Sequence, residues 1–235
     1  ARTYYARLTK AVITALSVPM AEGTLYEVDM RLRPSGRQGP VATSWAAFQS
    51  YQQTDAWVWE HLALTRARWV AGAAELGADI EAFRIDLLTR EADPARVMKE
   101  LQEMRVRLAE AKPRSGEWDF DEGPGGRKDI ALVAAAGALI AGRPLRSAEA
   151  QLREAPLGPE AVEMAAIHSD FARLQVTSRL LTGGGLQPDT LGEGGRDMVL
   201  REFQAVDLEA LHGRLRAALE RAKQIIDALM SHEAD

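Results

Sequence analysis

The sequence predicts a mainly α protein, a helical bundle with a small β remnant. Three observations predict it. Alanine and leucine are abundant while aromatics make up only 6% of the residues. From residue 79 onward apolar side chains recur at helical spacing. Only one stretch, residues 25–33, alternates with the period of two that marks a strand with one buried face.

Residues 2–18 form an amphipathic pattern, with Tyr5, Leu8, Val12 and Leu16 on one face and Pro19 and Gly23 as the stop. The strand follows, with Tyr26, Val28, Met30 and Leu32 on the apolar parity and Glu27, Asp29, Arg31 and Arg33 on the other. PSGRQGP (34–40) is a loop. Thr43 or Ser44 caps a helix over WAAFQSYQQ, and Asp55 caps another over residues 56–72. Arg66 and Arg68 stand about 200° apart on that helix, at ~100° per residue.

Asp93-Pro94 opens the next clear helix, with a cap followed by proline at the first position. Its seam is Val97, Leu101, Met104 and Leu108, and Pro113 closes it. Residues 115–126 read as a loop, 128–141 as an alanine-rich helix, and Pro159 to about Leu181 as a long one. GGGLQPDTLGEGG (183–195) reads as a flexible connector, and the last helix runs from about Asp207 to Ser231. The expected organisation is a small mixed domain over 1–72 and a helical bundle domain over 73–235.

Composition excludes several classes of function. There are no cysteines, so disulfides, thiolate metal sites and a cysteine nucleophile are out. No apolar run approaches the ~18 residues of a membrane span. Residues 1–72 carry 8 Lys/Arg against 5 Asp/Glu, a net +3, while the rest carries 21 against 29, a net -8. The basic first segment suits an anionic ligand; the acidic remainder argues against a nucleic-acid partner. The opening at Ala1, directly in a helical pattern and without methionine, reads as a piece of a longer polypeptide.

The alternating charges are the sharpest feature. A strand with a solvated face would carry such a pattern for no chemical reason. Two carboxylates flanked by two guanidiniums could also hold a metal ion and a polyphosphate together. Elsewhere the four histidines show no zinc spacing, and the glycine-rich 183–195 stretch lacks the Lys-Ser/Thr ending of a phosphate loop. Glu60-His61 reads as structural, and Trp57, Trp59 and Trp69 as core packing.

Residues 25–72 carry VDMRLRPSG followed by WEHLALTRARWVAG, a block of about 48 residues. This block resembles the glutamine synthetase adenylyltransferase family, whose two nucleotidyltransferase halves share one chain. The form RLRPSG with WEHLALTRAR looks like the C-terminal half, which attaches AMP to glutamine synthetase. On that resemblance residues 1–72 are the C-terminal part of a nucleotidyltransferase domain, and ATP is a substrate used with Mg2+. Asp29 falls where the third metal carboxylate is expected, as catalytic and metal-binding residue. Arg31 and Arg33 on the same parity, and less directly Arg66 and Arg68, are expected to reach phosphate oxygens. The reaction implied is adenylyl transfer from ATP to a glutamine synthetase tyrosine, releasing pyrophosphate. The resemblance also implies a cytoplasmic enzyme of nitrogen metabolism, with PII signalling protein and glutamine as effectors.

Two departures temper it. No Gly-Ser…Asp-x-Asp motif occurs in the 235 residues, so the chain alone is expected to be inactive. In the family's GG--DIEF--Q block, Gly125, Gly126, Asp129 and Ile130 fit, whereas Ala131, Leu132 and Ala135 replace the polar and aromatic positions. Two other readings stay open: the adenylyl-removing half, acting by phosphorolysis, and a non-catalytic helical module that binds a partner protein.

Overall fold

The helices that begin at Trp45 and Pro94 start where the sequence places their caps, Ser44 and Asp93. The computed structural model describes residues 2–30, 33–90, 92–155 and 157–232. Among these the α-helices are α1 (Arg2–Ser17), α2 (Trp45–Thr54), α3 (Val58–Thr65), α4 (Ala74–Leu88), α5 (Pro94–Ala111), α6 (Arg127–Ile140), α7 (Ala148–Glu154), α8 (Ala161–Thr182), α9 (Glu193–Glu202) and α10 (Leu208–His232). The protein is thus mainly α, a helical bundle. It divides into two compact units, Ala1–Ala63 and Leu64–Asp235.

In the first unit α1 ends where Pro19 and Gly23 predict, with an isolated bridge between Met20 and Gly23. Among the described residues the expected strand does not form: residues 26–30 take no regular secondary structure, and residues 31 and 32 lie outside the described residues. A strand exists only where a neighbouring strand accepts its N–H groups. Here the Tyr26 N–H goes to Leu16 O at the end of α1, 2.8 Å away. The apolar parity is therefore not a buried face. Tyr26 is exposed and Val28 and Met30 are half-buried.

Ser44 caps α2 through its hydroxyl, which accepts from the Ala47 N–H. Asp55 closes α2 rather than opening α3, and its carboxylate accepts from Thr54 Oγ1 at 2.7 Å. Helix α3 is opened instead by Glu60, which reaches back to the Trp57 N–H at 3.0 Å, as an acid at the third helical position does.

The second unit is built around α6, which packs against α5, α7, α8 and α10. Small residues make that possible: Ala134, Ala136 and Ala138 are wholly buried beside Ile130 and Val133. At Gly137 even a Cβ would meet the Leu157 side chain at 2.6 Å. Helix α10 closes the bundle with Leu211, Leu215, Leu219, Ala222 and Ile226, all buried and all at helical spacing. Asp93 caps α5 as predicted, accepting from the Ala95 and Arg96 amides. Val97 and Leu101 are buried there, whereas Leu108 at the end of the seam is exposed.

Candidate functional site

Asp29 sits on the irregular segment 26–30 with its side chain exposed. Arg31 lies outside the described residues. Arg33 is half-buried and turned toward main chain: Nη1 donates to Met30 O at 2.7 Å and Nε to Gly39 O at 3.1 Å. The forked guanidinium thus staples both ends of the PSGRQG loop. Ser35 takes a left-handed conformation, φ 60°. Gly39 passes so close to Pro34 O that no Cβ would fit.

Behind this loop stands a polar pair. Tyr51 Oη donates to the Glu60 carboxylate, at 2.9 and 3.2 Å from its two oxygens, and Glu60 is buried. The Ser35 N–H points at the same hydroxyl, which ties the loop to α2 and α3. Burial pushes the Tyr51 hydroxyl up from its ordinary value, and the bond to Glu60 adds to that. His61 holds Gln52 O at 3.0 Å. The Glu60-His61 pair is structural in these contacts.

The helix that carries Arg66 and Arg68 is shorter than the sequence predicts. Helix α3 stops at Thr65, Arg66 lies in a turn, and Arg68 lies in an irregular stretch. At that end stands Arg84 of α4, which is 4% exposed. Its Nη1 donates to Thr65 O at 3.1 Å and reaches Leu64 O at 3.5 Å. Its Nη2 donates to Pro144 O at 3.1 Å. Nε and Nη2 also grip the two oxygens of Glu81, at 3.0 and 2.9 Å. Arg146 binds Glu81 from the other side and donates through Nε to Ala67 O at 3.0 Å. The hydrogen bonds from Arg84 hold the Glu81 carboxyl below its usual range against the opposing effect of burial, and Arg146 adds to them. Arg66 and Arg68 are both exposed.

Two of the three tryptophans depart from the expected core packing. Trp57 and Trp69 are exposed, and Trp59 is half-buried. Trp69 rests against α4 at Gly77, where a Cβ would meet the indole at 2.7 Å.

The Gly125-Gly126 block has a steric reason. Gly125 has φ +75°, and a Cβ there would lie 2.5 Å from Leu219 O of α10. Asp129, in the first turn of α6, accepts from the Gly125 N–H at 2.9 Å and from Arg105 through two bonds. Ala131 and Ala135 are buried, so the chain sets small apolar groups where the family pattern has polar ones.

Among the described residues no three His, Asp or Glu side chains gather into a group that could hold a metal ion. Asp29 by itself does not fit a resident magnesium ion, which takes several oxygen ligands in octahedral geometry. No helix among the described residues is long and apolar enough to cross a membrane. Sequence reasoning named Asp29, Arg33, Arg66 and Arg68 but missed Arg84, Glu81 and Arg146. The one signal for Arg84 was its place inside the apolar run AFRIDLL.

Residues 1–83 match the family Glutamate-ammonia ligase adenylyltransferase. Across nearly the whole chain there are curated relatives named bifunctional glutamine synthetase adenylyltransferase/adenylyl-removing enzyme. That of Rhizobium meliloti (strain 1021) is 39% identical over 245 residues, covering 97% of this chain and 24% of the relative. That of Mesorhizobium japonicum is 36% identical over 236 residues, with 97% and 24% covered. That of Brucella suis biovar 1 is 37% identical over 241 residues, with 99% and 24% covered. The chain therefore spans about a quarter of the length of the relatives it matches.

Proposed function

Because this chain belongs to the glutamate–ammonia ligase adenylyltransferase family, we propose that it is part of a nucleotidyltransferase that moves AMP from ATP to a tyrosine of glutamine synthetase. The tyrosine oxygen forms a bond to the α-phosphorus, the bond to the β-phosphate oxygen breaks, and pyrophosphate leaves. The phenol proton passes to solvent. The carrying observation is the family match over residues 1–83, which includes all five candidate residues: Asp29, Arg31, Arg33, Arg66 and Arg68.

The roles follow from what each side chain can do. Asp29 is exposed and is proposed as one carboxylate ligand of Mg2+, with the remaining ligands outside this chain. Arg33 orders the PSG loop through Met30 O and Gly39 O, and a phosphate contact is proposed for it from its place in RLRP. Arg66 and Arg68 are exposed and suit phosphate oxygens through their planar forks. Arg31 is proposed for the same task from its place in RLRP. PII signalling protein and glutamine are proposed effectors, and the cytoplasm the proposed location.

A second reading is favoured by the relatives' own name, which couples the transferase to an adenylyl-removing activity. In that direction phosphate would attack the AMP–tyrosine bond and the tyrosine would leave. A third reading, a non-catalytic helical module, draws on the missing Asp-x-Asp motif and on Ala131, Leu132 and Ala135 in the 125–135 block.

The test is AMP incorporation from labelled ATP into glutamine synthetase. A polypeptide of the relatives' length that contains this chain is compared with its Asp29→Asn variant and with the 235-residue chain alone. Labelling by the long polypeptide only supports the proposal. Equal labelling by Asp29→Asn removes Asp29 from the chemistry. Label released on adding phosphate favours the removing half. No labelling in any arm favours the binding module.

A further inference from the structure

The sequence over 56–72 reads as one helix, yet α3 ends at Thr65. In a continued helix the amides of Arg68 and Trp69 would bond to the carbonyls of Leu64 and Thr65. Those two carbonyls instead face the guanidinium of Arg84, at 3.5 and 3.1 Å. The last turn tightens, with the Ala67 N–H bonded to Leu64 O at 3.1 Å. Two further anchors hold the departing chain. Arg146 Nε donates to Ala67 O at 3.0 Å, and the Trp69 indole lies on α4 at Gly77.

The anchor is costly to build. Arg84 stands on the buried stripe of α4 with Gly77, Leu87 and Leu88, where an apolar side chain would be ordinary. A buried guanidinium is tolerated only when its donors are satisfied, and here Glu81, Thr65 O and Pro144 O satisfy them. A plain core would have needed none of this.

We propose that Arg84, gripped by Glu81 and backed by Arg146, is a positioning residue: it holds residues 66–69 out of the helix their sequence favours and so sets where Arg66 and Arg68 stand. In a continued helix those two arginines would point about 200° apart, at ~100° per residue. The clamp instead places one in a turn and the other in an irregular stretch, both exposed. The part of this inference that concerns ligand rests on the phosphate reading of Arg66 and Arg68; the part that concerns backbone does not.

The experiment follows residue-resolved amide hydrogen exchange over 66–70 in the 235-residue chain, with binding of inorganic pyrophosphate measured on the same samples. The variants are Arg84→Lys, which keeps the charge and loses the fork, and Glu81→Gln. Arg146→Gln, at a side chain 45% exposed, is the variant that keeps the fold if Arg84→Lys does not. The expected result is slower exchange at Arg68 and Trp69 as α3 extends, with pyrophosphate binding roughly tenfold weaker. Unchanged exchange at 66–70 in the folded variants overturns the positioning role. Failure of the unaltered chain to bind pyrophosphate overturns the phosphate reading alone, and exchange still decides the clamp.

Discussion

Arg105 and Asp129 meet side by side, Nε to Oδ1 at 2.7 Å and Nη2 to Oδ2 at 3.0 Å, each with its side chain only 9% exposed. The pair joins α5 to the first turn of α6, and Asp129 also takes the Gly125 N–H. Removing Arg105 strands the Asp129 carboxylate in the bundle, whereas Arg105 without Asp129 keeps Asp227 at 3.6 Å and Gln102 at 3.0 Å. Arg105→Ala is expected to cost about 3 kcal/mol, the range for breaking a buried pair. Arg105→Met with Asp129→Leu is expected to recover most of that loss. Urea denaturation of the single and double variants measures both, and additive losses would show that the two side chains are not coupled.

Gly125 and Gly183 separate two effects that glycine usually combines. Both have positive φ, +75° and +73°. A Cβ at Gly125 would meet Leu219 O at 2.5 Å and Lys223 N at 2.9 Å, whereas a Cβ at Gly183 has nothing within 4 Å. Gly183→Ala is expected to cost about 1 kcal/mol, the left-handed penalty alone. Gly125→Ala adds overpacking against the α10 backbone and is expected to cost about 3 kcal/mol in all. Thermal unfolding of the two variants compares them directly.

His168 of α8 gives the second unit a pH dependence. Burial pushes its imidazole down from the ordinary value, and the charges of Arg127 and Arg66 add to that. Glu149 and Asp121 act in the opposite direction without reversing it. The unfolded imidazole therefore binds a proton at a higher pH than the folded one. Stability is expected to be full above about pH 6.5 and to fall as pH drops from there through the folded value. His168→Asn, which cannot titrate, is expected to flatten the stability profile between about pH 7 and pH 5. A slope unchanged in that variant would assign the dependence to other groups.

Sequence pattern revealed what depends on neighbours along the chain. Asp93-Pro94, Ser44 and the leucine spacing of α10 were legible because caps and helical faces are local. Helix α7 escaped because seven residues are too few to show a period. Helix α9 escaped because Gly194 and Gly195 lie within it and read as a connector. The strand over 25–33 and the long helix over 56–72 were local readings overruled at a distance. The first lacked a pairing neighbour among the described residues, and the second was stopped by an arginine about twenty residues further on. Asp29 and the arginines of the candidate site were legible as residue types. Their surroundings were not, because Arg84 and Glu81 belong to no motif.

The Tyr51–Glu60 pair sets an upper pH limit for the first unit. Glu60 is 4% exposed, and its carboxylate serves both the Tyr51 hydroxyl and the Trp57 N–H. Ionising the phenol would place two negative charges in contact, which agrees with the raised value of Tyr51. A raised folded value means that the stabilisation is present below about pH 10 and is lost as pH rises through the folded value. Absorbance near the phenolate band, followed with pH, is expected to show a late step from Tyr51. That late step should vanish in Tyr51→Phe and move down in Glu60→Gln. Tyr51→Phe is expected to cost about 1 kcal/mol, one hydrogen bond to a charged acceptor less the dehydration it avoids. Glu60→Ala should cost more, since it strands both the hydroxyl and the amide at the start of α3. Equal losses in the two variants would mean that solvent already satisfies the Trp57 amide and that Glu60 does not open the helix.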